Sequence, residues 1–261
     1  MPIRLGAVSY LNTRPLVYGL ERQPGQFSLR FDVPARCADL LHANDVDLGL
    51  IPSIEYPGRG YRIVPGVSIA SDGPVASVAV FSRVLTDRIR SIALDLSSRT
   101  SVALLRVLCA RWFGIAPRLH SMAPDLTAML DQCDAALVIG DNALFVDHAA
   151  LGVEKIDLGE DWIGMTGLPF VYAFWAGRPG VVPPEAAALL QRARAEGLAA
   201  TADIARQSFP DDPARAVRAD VYLRENVKYA LGEAEVAGLR RFYELAAELD
   251  ILGGADTPQF Y

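Results

Sequence analysis

Short apolar runs alternate with helical patterns over the first two thirds of the chain. Residues 3–9, 29–33 and 47–52 are apolar runs that predict buried strands. Between the last two, Pro34 opens a segment whose apolar positions recur at i, i+3 and i+4, which predicts a helix. Another helix start is predicted after the first strand, with Thr13 as its N-cap and Pro15 in its first turn. Strands alternating with helices predict an α/β fold with a covered, parallel sheet.

The same alternation begins again near residue 90. Residues 91–95 and 134–140 predict two more strands, and a hydroxyl-rich turn at 97–101 precedes a helix. Two long apolar strands, 75–81 and 169–176, bracket this second unit, and we expect them to cross between the two units. The chain is therefore expected to form two α/β lobes with a cleft between them.

After Pro183 the pattern is helical to the C-terminus, with apolar spacing typical of helices over residues 185–205, 213–231 and 232–249. We expect these helices to complete the first lobe. The predicted division is lobe one over residues 1–82 and 175–261, and lobe two over 83–174.

Composition and charge argue against several classes of binding partner. Apolar residues make up 51% of the 261 residues, which is ordinary for a globular protein, and the net charge is −6. An acidic chain is a poor partner for nucleic acid. Its longest uncharged stretch, 162–177, is shorter than the roughly 20 residues of a membrane helix, and the N-terminus does not resemble a signal peptide. We expect a soluble, cytoplasmic protein with neither nucleic acid nor membrane as a partner.

The common catalytic fingerprints do not occur in the sequence. It contains no G-x-G-x-x-G, P-loop, G-x-S-x-G or H-E-x-x-H motif. The three cysteines form no C-x-x-C pair, and the three histidines lack the spacing of metal ligands. We therefore expect no metal site and no disulfide framework.

Two segments at strand ends point to a ligand site. Ser9-Tyr10-Leu11-Asn12 follows the first strand, where ligands of α/β sheets bind, although a capping turn is an equal alternative. Ser97-Ser98-Arg99-Thr100-Ser101 lies between a strand and a helix. Its hydroxyls, its arginine and the helix N-terminus favour a site for a carboxylate or phosphate over a simple N-cap.

Two further segments contain glycines in unusual places. Ile139-Gly140-Asp141 ends a buried strand, where Gly140 permits close approach of the backbone, and Asp141 is expected either to cap the next helix or to touch a ligand. Residues 162–170 read as a loop folded over a ligand, because two glycines and Thr166 interrupt an apolar run. The residues alone thus predict a cleft that holds a small anionic ligand.

Several motifs occur in one order over most of residues 3–176. They are residues 8–16, 47–52 with Glu55 and Tyr56, 72–77, 98–101, 139–144, and Trp162 with 166–170. This combination resembles the chorismate dehydratases of the futalosine route to menaquinone. The resemblance implies a periplasmic-binding-protein-like type II fold and a hydro-lyase that needs no cofactor. Its implied reaction removes water from chorismate to give 3-[(1-carboxyvinyl)oxy]benzoate.

The resemblance also implies roles for particular residues. Asn12 and Ser77 are the expected catalytic residues, nearest the chemistry, and Thr100 and Ser101 are expected to bind a carboxylate. The full set of expected substrate-binding residues is Ser9, Tyr10, Ser98, Arg99, Thr100, Ser101, Gly140, Asp141, Thr166 and Gly167. Asp141, Glu55 and the substrate's own enolpyruvyl carboxylate remain the alternatives for the general base, with the last preferred.

Two other functions compete with the dehydratase. A dihydroxynaphthoate synthase is a related lyase on the same scaffold, but it is expected to read Ser-Pro-Cys-Pro-Asn-Asp from Ser9 onward and to carry histidine at Gly140. These departures favour the dehydratase. A non-catalytic binding protein for small anions is the other alternative, and the sequence leaves the oligomeric state open.

Overall fold

The fold consists of two five-stranded mixed sheets in a computed structural model that describes residues 1–23 and 25–261. The first sheet has the strand order β2-β1-β3-β10-β4 and the second has the order β7-β6-β8-β5-β9. The strands are β1 Ile3–Val8, β2 Phe27–Asp32, β3 Leu48–Pro52, β4 Arg62–Ser71, β5 Val78–Ser82, β6 Ser91–Asp95, β7 Arg118–Met122, β8 Ala135–Ile139, β9 Glu154–Asp157 and β10 Phe170–Gly177.

Each sheet is parallel except for one inserted strand. In the first sheet β1 pairs in parallel with β2 and β3, whereas β10 runs antiparallel to β3 and β4. In the second sheet β6 pairs in parallel with β7 and β8, whereas β5 runs antiparallel to β8 and β9. Strands β3, β5, β8 and β10 are buried along their whole length, as their continuous apolar sequences require.

Helices cover the two sheets. They are α1 Pro34–His42, α2 Arg99–Leu108, α3 Leu126–Gln132, α4 Gly140–Leu144, α5 Leu158–Thr166, α6 Pro184–Ala199, α7 Thr201–Ser208, α8 Pro213–Val221 and α9 Glu233–Glu248. A 3-10 helix, Leu11–Val17, follows β1, and π-helical turns continue α2 over Cys109–Phe113 and α8 over Tyr222–Asn226. In the part of the chain that the structure describes, no helix is long and apolar enough to cross a membrane.

The chain changes sheets earlier than the sequence suggested. It leaves the first sheet after Ser71 and enters the second at Val78, and it returns through α5 to Phe170. The expected boundary after residue 82 therefore lies at the end of β5, which belongs to the second sheet. The expected boundary after residue 174 lies inside β10, which belongs to the first sheet. The segments that cross between the lobes are residues 72–77 and 158–169. The apolar strands β5 and β10 do not cross, since each lies inside a sheet with a paired strand on both sides.

Two local expectations differ from the structure. Thr13 lies buried inside the 3-10 helix, and Tyr10 occupies the position before its first residue, so Thr13 is not an N-cap. The segment expected as a loop, 162–170, begins inside α5, where Trp162 is fully buried and packs with Phe170 at 5.0 Å between ring centroids. Gly167 ends α5 in the left-handed conformation at φ +70°, which accounts for that glycine.

Candidate functional site

A cleft lies between the two lobes at the carboxyl ends of β1, β3 and β8. It has an empty volume of about 490 Å³, part of it open to solvent. Among the predicted site residues, the cleft is lined by Tyr10, Asn12, Ser77, Ser98, Ser101 and Gly140. The remaining lining residues are Val8, Pro34, Pro52, Ile69, Val75, Val78, Ile139, Tyr172 and Ala173.

Asn12 lines this cleft and has an unpaired side-chain acceptor. It lies in the 3-10 helix that follows β1, and its Oδ1 is buried without a hydrogen-bond partner among the residues that the structure describes. Because a buried acceptor without a partner is rare, Oδ1 is a group that a bound ligand can satisfy.

Ser77 faces the cleft from the first crossing segment. It is 1% exposed, and its carbonyl oxygen accepts a hydrogen bond of 2.8 Å from the Gly140 N–H. Its Oγ lies 2.7 Å from the Oη of Tyr222. Burial raises the pKa of Tyr222, so the phenol stays protonated at neutral pH.

The segment before Ser77 is held by ionic side chains at the end of β9. The Asp157 carboxylate accepts from the N–H groups of Val75 at 3.0 Å and Ala76 at 2.7 Å. The Lys155 Nζ donates to the Ala76 carbonyl at 2.7 Å. Ala76 has φ +64°, an unfavourable value for a residue with a Cβ, and these bonds offset that strain. The backbone that carries Ser77 is therefore fixed in position.

Tyr10 and Gly140 bring the lobes into direct contact. Gly140 has φ +62°, and a Cβ at this position would lie 2.8 Å from carbon atoms of the Tyr10 ring. The Tyr10 Oη lies 3.1 Å from the Oγ of Ser97, and burial raises the pKa of this phenol. Only glycine allows the ring to pack this closely on β8.

The start of α2 supplies hydroxyls and the positive end of a helix dipole. The Ser98 Oγ accepts from the Ser101 N–H at 3.2 Å and lies 2.8 Å from the Ser101 Oγ. Both serines line the cleft, and none of the described residues that line it is arginine or lysine. Anion binding here would depend on N–H groups, hydroxyls and the helix dipole.

The two residues between these serines are directed elsewhere. The Thr100 Oγ1 accepts from the Ile54 N–H at 3.2 Å, which ties α2 to the other lobe. Arg99 pairs with Asp39 at 2.9 Å and with Glu55 at 3.1 Å, so its charge is neutralised by lobe one. Neither side chain is among the residues that line the cleft.

The two protein carboxylates considered as bases have other partners. Both oxygens of Asp141 face the Leu11 N–H, at 3.0 and 3.3 Å, and burial raises the pKa of this carboxyl. Glu55 accepts from His42 Nε2 at 3.0 Å, in addition to its pair with Arg99. Asp141 thus caps the turn after β1, and Glu55 belongs to a polar cluster outside the cleft lining.

Three further predicted site residues lie away from the cleft lining. Ser9 is exposed, and its N–H donates to the Asp32 carbonyl at 2.9 Å. The Thr166 hydroxyl donates to the Trp162 carbonyl at 2.8 Å, and Gly167 ends the helix, so both belong to the C-terminus of α5. In the described part of the chain, no group of three His, Cys, Asp or Glu side chains is placed to hold a metal ion.

Sequence reasoning missed Tyr222 and Tyr172. Tyr172 lies on β10 and lines the cleft, with its Oη 3.3 Å from the Ser71 Oγ. Tyr222 lies about 145 residues beyond Ser77 in a helical segment whose pattern shows only ordinary amphipathic spacing. The π-helical turn that it begins is a feature often found at functional sites, but it is not visible in the sequence.

The chain is similar to known proteins over its whole length. A family described as menaquinone biosynthesis matches residues 3–248. The chorismate dehydratase of Thermus thermophilus is 32% identical over 277 aligned residues, which cover 100% of this chain and 98% of that protein.

Solved structures share the fold at lower identity. Protein AF1704 of Archaeoglobus fulgidus superposes with a TM-score of 0.74 at 19% identity, covering 96% of this chain and 98% of that one. The periplasmic aliphatic sulphonate binding protein SsuA of Escherichia coli gives 0.63 at 16% identity, with 100% and 94% covered. The two lobes therefore form a periplasmic-binding-protein-like α/β fold. The chain belongs to the menaquinone-biosynthesis family.

Proposed function

We propose that this protein is a chorismate dehydratase, a hydro-lyase that converts chorismate to 3-[(1-carboxyvinyl)oxy]benzoate. The 32% identity to a chorismate dehydratase over the full chain supports this activity. The observation in the structure that carries the proposal is the pairing of Asn12, with its free buried acceptor, and Ser77 in one cleft.

The reaction is driven by the substrate. The C3–H bond breaks and its electrons enter the ring, while the C4–O bond breaks with its electron pair remaining on oxygen. The departing oxygen takes up a proton and leaves as water, and the cyclohexadiene becomes a benzene ring. The ring carboxylate makes the C3 proton acidic by conjugation, so negative charge develops on that carboxylate as the proton leaves.

Stabilising this developing charge is the main task of the protein. The N-terminus of α2 with Ser98 and Ser101 is the group in the cleft best suited to a carboxylate. Fixed N–H groups and hydroxyls stabilise a charged transition state in a water-poor site without reorganising. The apolar lining, which includes Ile69, Val75 and Ile139, lowers the local dielectric and strengthens these contacts.

Asn12 and Ser77 are proposed to hold the C4 hydroxyl that leaves. A hydroxyl both donates and accepts, and Asn12 Oδ1 is an available acceptor. We assign removal of the C3 proton to the enolpyruvyl carboxylate of the substrate, held near that proton by the cleft. The partners already held by Asp141 and Glu55 support this assignment.

We also propose that the protein is located in the cytoplasm. The cysteines Cys37, Cys109 and Cys133 are all buried and free, which fits a reducing compartment. Burial raises the pKa of Cys37 to about 12, and of Cys109 likewise to about 12, so these thiols are unreactive at neutral pH.

The competing function is non-catalytic binding of a small anion, favoured by the similarity of the fold to the sulphonate binding protein. Incubation of purified, metal-free protein with chorismate separates the two. The dehydratase predicts loss of the diene absorbance and appearance of the aromatic product in proportion to enzyme concentration. An unchanged spectrum together with tight binding of chorismate by calorimetry would instead establish a binding protein.

A further inference from the structure

Tyr222 lies directly behind Ser77, one of the two residues expected to contact the leaving group. It is 2% exposed, and its Oη is 2.7 Å from the Ser77 Oγ. Tyr222 itself is not among the residues that line the cleft. It begins the π-helical turn after α8, so a C-terminal segment reaches the centre of the site.

The direction of the hydrogen bond between Tyr222 and Ser77 follows from the single proton of the phenol. Among the described residues, the Ser77 Oγ is the one hydrogen-bond partner of the buried Tyr222 Oη. The phenol proton therefore donates to the Ser77 Oγ, because a buried donor left without an acceptor is costly. Ser77 consequently keeps its own proton free to donate into the cleft.

We propose that Tyr222 is a positioning residue that fixes Ser77 as a donor toward the same substrate hydroxyl that Asn12 accepts from. This inference rests on the proposed function, because the hydroxyl in question is the C4 hydroxyl of chorismate. Such a hydroxyl donates to Asn12 Oδ1 and accepts from Ser77. The donation from Ser77 strengthens as negative charge grows on the departing oxygen, so the contact favours the transition state over the bound substrate.

The first test compares Tyr222→Phe with a matched control, Tyr243→Phe. Tyr243 is also fully buried, and its hydroxyl donates to the Ser53 carbonyl at 2.8 Å, away from Ser77 and Asn12. Tyr222→Phe is expected to lower kcat about tenfold to a hundredfold with KM nearly unchanged, as for a hydrogen bond that strengthens with charge. Tyr243→Phe is expected to lower the melting temperature while keeping kcat near the wild-type value.

A double-mutant cycle tests whether Tyr222 acts through Ser77. If it does, adding Tyr222→Phe to Ser77→Ala should lower kcat little further, because the single losses are not additive for residues acting as one unit. Losses that multiply, or a Tyr222→Phe enzyme with wild-type kcat, would overturn the inference. Wild-type turnover of chorismate is measured first, so failure of the proposed function is seen separately.

A second variant covers the case in which Tyr222→Phe does not fold. Fluorotyrosine at position 222 keeps the shape of the side chain and makes its hydroxyl a stronger donor. The chain of bonds through Ser77 then predicts a higher kcat at unchanged KM. A folded fluorotyrosine enzyme with unchanged kcat would contradict the positioning role.

Discussion

Thr100 and Ser101 are neighbours at the start of α2 whose hydroxyls serve different purposes, and single substitutions can separate them. Ser101 lines the cleft, so Ser101→Ala should remove one hydrogen bond to a substrate carboxylate. Such a bond to a charged group is worth about 1.5–3 kcal/mol, which corresponds to an increase in KM of roughly 10- to 150-fold. We expect little change in melting temperature, because the Ser98 Oγ still caps the Ser101 N–H.

Thr100→Val should have the opposite profile. It removes the acceptor for the Ile54 N–H, 3.2 Å away, and leaves a partly buried donor unpaired at about 1–3 kcal/mol. For a chain of this size that is a loss of about 2–12 °C in melting temperature. We expect KM to rise much less than in Ser101→Ala.

The two variants are compared by steady-state kinetics with chorismate and by thermal unfolding. The reasoning would be refuted if Thr100→Val raised KM as strongly as Ser101→Ala at an unchanged melting temperature. That result would mean that Thr100 binds the substrate directly and that its contact with Ile54 contributes little.

Three further predictions concern the cleft. Asn12→Asp should reduce turnover severely at a nearly unchanged melting temperature, since it places a negative charge beside an anionic substrate; near-normal kcat would contradict the catalytic assignment. Asp141→Asn should keep turnover. Because burial raises the pKa of Asp141, ionising this carboxyl costs more in the folded protein than in the unfolded one, so the wild-type protein loses stability as the pH rises above about 4. The melting temperature of Asp141→Asn relative to wild type should therefore increase between about pH 4 and 7, and a pH-independent difference would count against it. Gly140→Ala should cost about 2–5 kcal/mol from its positive φ and the clash with Tyr10, measured by urea unfolding; a loss under 1 kcal/mol would show that the ring moves freely.

The sequence predicts the strands that carry continuous apolar runs and misses those that do not. β7 is an exposed edge strand with the sequence Arg-Leu-His-Ser-Met, and β9 is a four-residue edge strand with two charged ends, so neither presents an apolar run. β4 contains Pro65 and Gly66, which usually mark a break in a strand. The proline is tolerated because β4 is also an edge strand.

The site is predicted from the sequence only as far as local motifs reach. The position of Asn12 after β1 follows from the rule that ligands bind at the carboxyl ends of strands. The different directions of the Thr100 and Ser101 hydroxyls depend on the packing of Ile54 against α2, which no spacing rule contains. Tyr222 reaches Ser77 only through the tertiary fold, so no motif near either residue indicates the contact.

The return of the chain to the first sheet as β10 also has a consequence for folding. All strands of the second sheet come from the continuous segment between Val78 and Asp157, so this sheet can assemble as soon as that segment has left the ribosome. The first sheet instead needs β10 between β3 and β4, with Phe174 paired to Ile51 across more than a hundred residues of chain. Such distant pairing is slow to form. During synthesis lobe two is therefore complete first, while β3 and β4 wait with unpaired edges for the strand that joins them.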